Sequence, residues 1–461
     1  MHRSGLQGGG DCCDLVARRR DADVVTQILT DKPYTDPFVW TRFLTCAARI
    51  RYIGHVQCRE YASPVLKALL DHNGGKTFLP MLRTLSWIQN RSSGLLLLSF
   101  APPTLRNLFI LGFSGQYEFV DAVTPHLASA FPNLRYLELN RTRSGAAPLL
   151  KSLRGLAQLD ELNLTPTEQF GPQEWKLIGS TMTLRKLRVY IDGFAGPVPC
   201  SVPNLFALKC TGSVEQSLYL VQSLDAPRLE ELELIPHGKI SLEEFRKLLE
   251  GISAPDFAPS LRQLTLIRDD TGMEWRVTAL SSTPHSDTFA DMLRPCFELK
   301  KLEVLALHIV WKGMPVICDD DDILAIARAL PQLRALDVNL VPTTPLTLQI
   351  FVLVAKLCPK LQSFGFHAFR AQPFKLKQPF TPPTPNHPLR IIKFRLAEGT
   401  LGNLGKAASY LHTLFPHLDI EAQRRHFEGD RSLVKGEWPG VWLRIKAMQD
   451  YKRLHSEAAR T

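Results

Sequence analysis

Leucines recur along this chain in a fixed local pattern, Leu-x-x-Leu-x-Leu, usually with a proline two residues before the first leucine. The clearest copies are Pro132-Asn-Leu134-Arg-Tyr-Leu137-Glu-Leu139, Pro227-Arg-Leu229-Glu-Glu-Leu232-Glu-Leu234 and Pro259-Ser-Leu261-Arg-Gln-Leu264-Thr-Leu266. Copies begin at Leu82, Leu105, Leu134, Leu159, Leu184, Leu205, Leu229, Leu261, Leu302, Leu333, Leu361 and Leu389, with a weak last one at Leu418. The steps between first leucines run 23, 29, 25, 25, 21, 24, 32, 41, 31, 28, 28 and 29. One such hexad is a weak signal, because leucine is common. Some thirteen in order is a strong one.

The pattern predicts its own elements. Leu-x-Leu alternation is a short strand with one face buried. Proline at minus two ends whatever precedes it and turns the chain into the strand. Helical periodicity lies between strands at Phe119–Ala130, Ser144–Leu156, Val214–Leu224, Ser241–Gly251, Asp287–Cys296, Asp320–Leu330, Leu346–Leu357 and Leu401–Phe415, and Ser241-Leu-Glu-Glu244 is a capping box. Strand then helix, repeated, predicts an α/β leucine-rich-repeat solenoid: a curved parallel sheet with outer helices, in which no unit buries its leucines alone. The expected organisation is a leader at 1–36, an N-terminal helical capping region at 37–80, irregular repeats over 81–420 and a C-terminal cap at 421–461. A polar loop insertion at 268–284 and a proline-rich linker at 375–388 are expected to interrupt the repeats.

Alternation also predicts which side chains face solvent. On the strand face expected to line the concave side, the candidates for partner binding are Tyr136, Glu138, Glu161, Lys186, Arg188, Tyr190, Lys209, Glu231, Glu233, His308, His367, Lys393 and Arg395. Acid at Glu138 and Glu161 gives way to base at Lys186, Arg188 and Lys209, then to acid at Glu231 and Glu233. Patches of this kind steer partner choice.

Composition narrows the classes. The 461 residues carry a formal charge of +10, but it is diffuse rather than clustered, so a nucleic-acid-binding basic solenoid is the lesser reading. No apolar run reaches membrane length, so no membrane partner is expected and the chain is placed in the cytoplasm or nucleus. The nine cysteines form no CxxC pair and no zinc spacing; Cys200, Cys210, Cys296, Cys318 and Cys358 read as small buried hydrophobes. Asp319–Asp322 reads as a helix N-terminus rather than a cation loop. No GxSxG, HExxH or phosphate-binding loop is present, so no catalytic, cofactor or metal residues are assigned; a cryptic hydrolase is the least favoured alternative.

The helix-bearing repeat resembles the ribonuclease-inhibitor class of leucine-rich repeats. The Leu-Arg units at Leu82, Leu134, Leu184, Leu261, Leu333 and Leu389, with the stretch Phe38-Val-Trp-Thr-Arg-Phe43, are similar to F-box/leucine-rich-repeat proteins of mushroom-type fungi. The resemblance implies a protein-interaction scaffold, the substrate-recognition subunit of a ubiquitin ligase, with a protein substrate on its concave face. Residues 1–36 hold no Leu-Pro-x-Glu opening. The expectation is therefore that the F-box is missing or degenerate, and a Skp1-like adaptor is expected only where an F-box stands upstream.

Overall fold

A computed structural model of the chain describes residues 36–57, 62–89, 94–112, 123–140, 146–165, 171–179, 183–237, 239–267, 276–277, 288–308, 318–338, 346–370, 386–398, 403–422 and 438–458. The chain divides into two compact units, Met1–Glu168 and Gln169–Thr461. Each is a parallel stack in which strands pair with those of neighbouring repeats of the same unit.

In the first unit the strands Tyr52–Gln57, Thr84–Gln89, Asn107–Gly112, Tyr136–Asn140 and Glu161–Thr165 pair in sequence order. In the second the order is Lys186–Tyr190, Ala207–Ser213, Glu231–His237, Gln263–Leu266, Val304–Leu307, Ala335–Val338, Ser363–Arg370 and Ile391–Glu398. All are parallel, and the predicted leucines stand opposite one another. Leu137 pairs with Leu162, Leu232 with Leu264, and Leu305 with Leu336. The first leucines, from Leu82 through Leu134, Leu229 and Leu302 to Leu389, are fully buried. This is the leucine-rich-repeat architecture the hexads predict.

The proline at minus two has a more specific job than stopping a helix. In each such repeat the amide of the first leucine closes a turn onto the carbonyl three residues back: Leu105 to Pro102, Leu134 to Phe131, Leu229 to Ala226, Leu261 to Ala258 and Leu361 to Cys358. Proline sits second in that turn, where its fixed φ is already correct.

Residues just before each strand close a second device. In most repeats the carbonyl at the position after the first leucine accepts two amides from the next repeat. Arg83 N and Thr84 N both reach Arg51 O at 2.9 and 3.1 Å, and Arg262 N and Gln263 N both reach Glu230 O at 2.8 Å.

Several elements differ from expectation. The region 37–80 is not only helical: Tyr52–Gln57 is a strand and joins the sheet beside Thr84–Gln89. Its repeat is Ile50-Arg-Tyr-Ile53, with isoleucines in place of leucines. The weak copy at Leu418 forms no strand. Asp419 N still bonds Arg390 O, at 2.8 Å, and the chain turns helical at once. Helix Ala62–His72 falls within the region expected to be helical, whereas Gly94–Phe100 and Pro172–Ile178 are helices in spans where the pattern predicts none.

Helices of adjacent repeats pack on one another, as Leu242–Ser253 does on Val214–Ser223 and Asp320–Ala329 on Ile350–Leu357. The capping box at Ser241 forms, with Glu244 N donating to Ser241 Oγ at 3.1 Å and Ser241 N to Glu244 Oε2 at 2.7 Å. The helix Trp438–Ala458 lies on Leu404–Leu414 and buries Trp438, Val441, Trp442 and Ile445. Among the described residues, no helix is long and apolar enough to cross a membrane. The leader and the proline-rich linker fall almost wholly outside the described residues. So does most of the 268–284 insertion, where Arg276–Val277 pairs with Lys239–Ile240.

Candidate functional site

Within each unit, side chains that alternate with the buried leucines form rows across the solvent face of the sheet. Burial along Ala207–Ser213 and Glu231–His237 alternates without a break.

In the first unit Asn107, Tyr136 and Glu161 share one register row, and Phe109, Glu138 and Asn163 the next. The Tyr136 ring lies 4.7 Å from that of Phe109. Its hydroxyl donates to the Glu138 carboxylate. Burial, then that carboxylate, pushes the phenol well above its ordinary range, so it stays a donor. Tyr136, Glu138 and Glu161 are thus brought together on an acidic, aromatic patch.

In the second unit Arg188, Lys209, Glu233 and Thr265 form one row. The Lys209 ammonium is ion-paired with the Glu233 carboxylate, both about a quarter exposed. Arg188, beside Lys209, has its Nε buried without a hydrogen-bond partner among the described residues. Glu231 pairs in register with Gln263, one row away. Two residues beyond Arg188, Tyr190 stacks on His237 at 5.6 Å with planes 6° apart. Lys186 and Arg188 point to the same side of their strand.

Further along this face His308 and Lys393 meet on Asp337, an alternating face residue of the strand Ala335–Val338. Asp337 Oδ2 accepts from Lys393 Nζ at 2.8 Å, and His308 Nε2 lies 3.5 Å from Asp337 Oδ1. At 3.5 Å the histidine contributes charge when protonated rather than a short hydrogen bond. Burial opposes ionisation of Asp337, but His308 and Lys393 outweigh it and hold the carboxyl well below the usual carboxylate range. Lys393 is two strands away from Asp337, because Gly365 stands between them in register. A Cβ at Gly365 would lie 2.6 Å from Asp337 Oδ1. The missing side chain is what opens the path. His367 and Arg395 lie on the strands Ser363–Arg370 and Ile391–Glu398, but their side chains fall outside the described residues.

Asp319–Asp322 is consumed by structure. Asp319 caps its helix by accepting from Asp321 N and Asp322 N at 2.9 and 3.1 Å. Asp322 accepts from Asp319 N and from Ala290 N, each at 3.0 Å, and Asp320 accepts from Thr347 N at 2.9 Å. Among the described residues no group of three His, Cys, Asp or Glu is placed to hold a metal ion. Burial pushes the Cys200, Cys296 and Cys358 thiols up to about 12, which leaves them protonated and unreactive at neutral pH.

No family model and no curated protein matches this sequence. Solved structures do match. One is an internalin from Listeria monocytogenes str. 4b F2365, 12% identical over 68% of this chain and 81% of that chain, with a TM-score of 0.34. A likeness at that level adds nothing to the strand order above, which carries the architecture by itself.

Arg188, Lys209 and Tyr190 were legible from alternation alone. Asp337 was legible as a face residue but not as the centre of a cluster, because its partners are 29 and 56 residues away. Nothing in the sequence around His237 signals that Tyr190 stacks on it.

Proposed function

We propose that this chain is a protein-interaction scaffold that holds a partner against the solvent face of its parallel sheet. The observation that carries the reading is the row Arg188, Lys209 and Glu233 with the Tyr190–His237 stack beside it. It combines charges already fixed in position with a rigid aromatic platform. Arginine and tyrosine are the residue types that most often dominate binding energy at protein interfaces. A static face of this kind suits recognition. Catalysis would need a nucleophile, a base and an oxyanion site converging on one point, and none of the described clusters supplies all three.

The finer reading is a substrate-recognition subunit of a ubiquitin ligase, or a derivative that has lost the adaptor-binding module. It rests on the resemblance of the Leu-Arg repeats alone.

The test is affinity capture on the full chain. A defined protein partner should be recovered by the unaltered protein. Recovery should fall about tenfold or more for K186E/R188E, which reverses two charges on exposed or half-buried positions without touching a buried leucine. Retention of the partner by that variant would sink the sheet-face reading. Co-recovery of a Skp1-like adaptor would support the ligase version, and its absence from capture experiments on the full transcript product would remove it.

A further inference from the structure

The rim of the sheet, where the strands begin, carries a second surface built from the residue that follows the first leucine of each repeat. In the N-terminal unit four successive rungs are Arg51, Arg83, Arg106 and Arg135, followed by Asp160. Their backbones are tied in order: Arg83 N to Arg51 O at 2.9 Å, Arg106 N to Arg83 O at 2.8 Å, Arg135 N to Arg106 O at 2.8 Å. The four side chains therefore leave the backbone about 4.8 Å apart. All four are exposed, and none of the ion pairs among the described residues involves Arg51, Arg83 or Arg106, while Arg135 has Asp160 one rung away.

The same rungs in the C-terminal unit are solved differently. There the rungs run Arg185, Phe206, Glu230, Arg262, Glu303, Arg334, Gln362 and Arg390, and the middle four alternate in sign. Arg262 bridges Glu230 at 2.9 Å and Glu303 at 3.0 Å, and Arg334 meets Glu303 at 2.8 Å. Backbone position and spacing are alike; only the neutralisation differs. In this run a carboxylate one rung away balances each arginine.

The N-terminal rim is also concave. Arg83, Arg106 and Arg135 line a pocket of about 210 Å³ with Thr104 and Asn133. Thr104 Oγ1 donates to Pro80 O at 2.8 Å and Asn133 Nδ2 to Pro103 O at 3.0 Å, so each small polar residue ties its repeat to the one before it.

We propose that Arg83, Arg106 and Arg135 form a docking site for an acidic segment of a protein partner, whose Asp and Glu carboxylates supply the counter-charges that Glu230 and Glu303 supply in the other unit. Guanidinium forks grip carboxylates in bidentate geometry, which fits arginine rather than lysine on every rung. No aromatic side chain lines the pocket, so it lacks the stacking platform that single-stranded nucleic acid uses. This rim is a different surface from the sheet face and does not depend on that face holding a partner.

The test uses the full chain and a fluorescein-labelled oligoglutamate of about twelve residues, followed by fluorescence anisotropy at about 50 mM salt. Saturable binding is expected. R83Q/R106Q/R135Q should weaken it about tenfold or more, with an unchanged thermal midpoint showing that the exposed substitutions leave the fold intact. R262Q/R334Q and K186E/R188E should each stay within about twofold of the unaltered protein, because neither touches the unneutralised rungs. Three results would each overturn the proposal. They are no saturable binding by the unaltered protein, an equal loss in the R262Q/R334Q control, and tighter binding of an oligouridylate or of inorganic pyrophosphate than of the peptide.

Discussion

At the scale of single residues, Gly365 shows how an absent side chain can organise charge. Asp337 and Lys393 sit on strands separated by the one that carries Gly365, and their 2.8 Å contact crosses above it. G365A would drive a methyl group to 2.6 Å from the carboxylate oxygen. The expected cost is about 1–3 kcal/mol, read as a lower urea midpoint at unchanged slope; an unaltered midpoint would show that the carboxylate swings aside freely. His387 makes the opposite point, a polar group fully enclosed. Its Nε2 faces Cys358 O at 3.0 Å and its Nδ1 accepts from Leu389 N at 3.2 Å, so the ring is held neutral and a second proton would break the Leu389 bond. Burial lowers its pKa, and burial together with Lys452 lowers that of His412. Both groups bind protons more readily in the unfolded chain. Stability should therefore be full above about pH 6.5 and decline as pH falls below it towards the folded-state values. Comparing urea midpoints at pH 7.5 and 5.5 checks this, and H387Q should shrink the difference. A midpoint independent of pH across that window would contradict it.

At the scale of elements, the helix Asp320–Ala329 illustrates how far local rules reach. Four consecutive aspartates before an apolar run read as a helix start, and the structure gives each of Asp319, Asp320 and Asp322 a named backbone or hydroxyl partner. D319A removes the acceptor for Asp321 N and Asp322 N and should cost about 1 kcal/mol, measurable by chemical denaturation. A change within error would mean that the remaining aspartates substitute for it. The rules fail where the signal is carried by other residue types. Tyr52–Gln57 escaped because Ile50 and Ile53 stand in the leucine positions and a bulge after Ile53 sets Val56 opposite Trp87, breaking the spacing. Pro172–Ile178 escaped because about two turns of helix have too few positions to show a period; its anchors are the buried Trp175 and Ile178. Leu418 looked like a repeat because its turn is genuine, with Leu418 N bonded to Phe415 O at 3.3 Å, yet no strand follows.

At the scale of the molecule, repetition made the strands, their parallel order and the buried leucine rows legible. What sequence could not show is which solvent-facing charges cancel one another. Arg262 and Glu303 are 41 residues apart and Lys393 and Asp337 56, separations that no local pattern encodes. Net charge is equally uninformative: +10 over the chain conceals one run of rungs that alternates in sign and another that does not. The paired amides on the rung carbonyls have a further consequence. Because two bonds, 2.6–3.1 Å long, clasp most strands at their first residue, register is pinned at that end. The connecting segments can then vary in length, as their steps of 21 to 41 residues do, without shifting the rows. Such a stack can gain or drop a whole tooth and still close, so its gripping surface can be re-lettered without redesigning the teeth on either side.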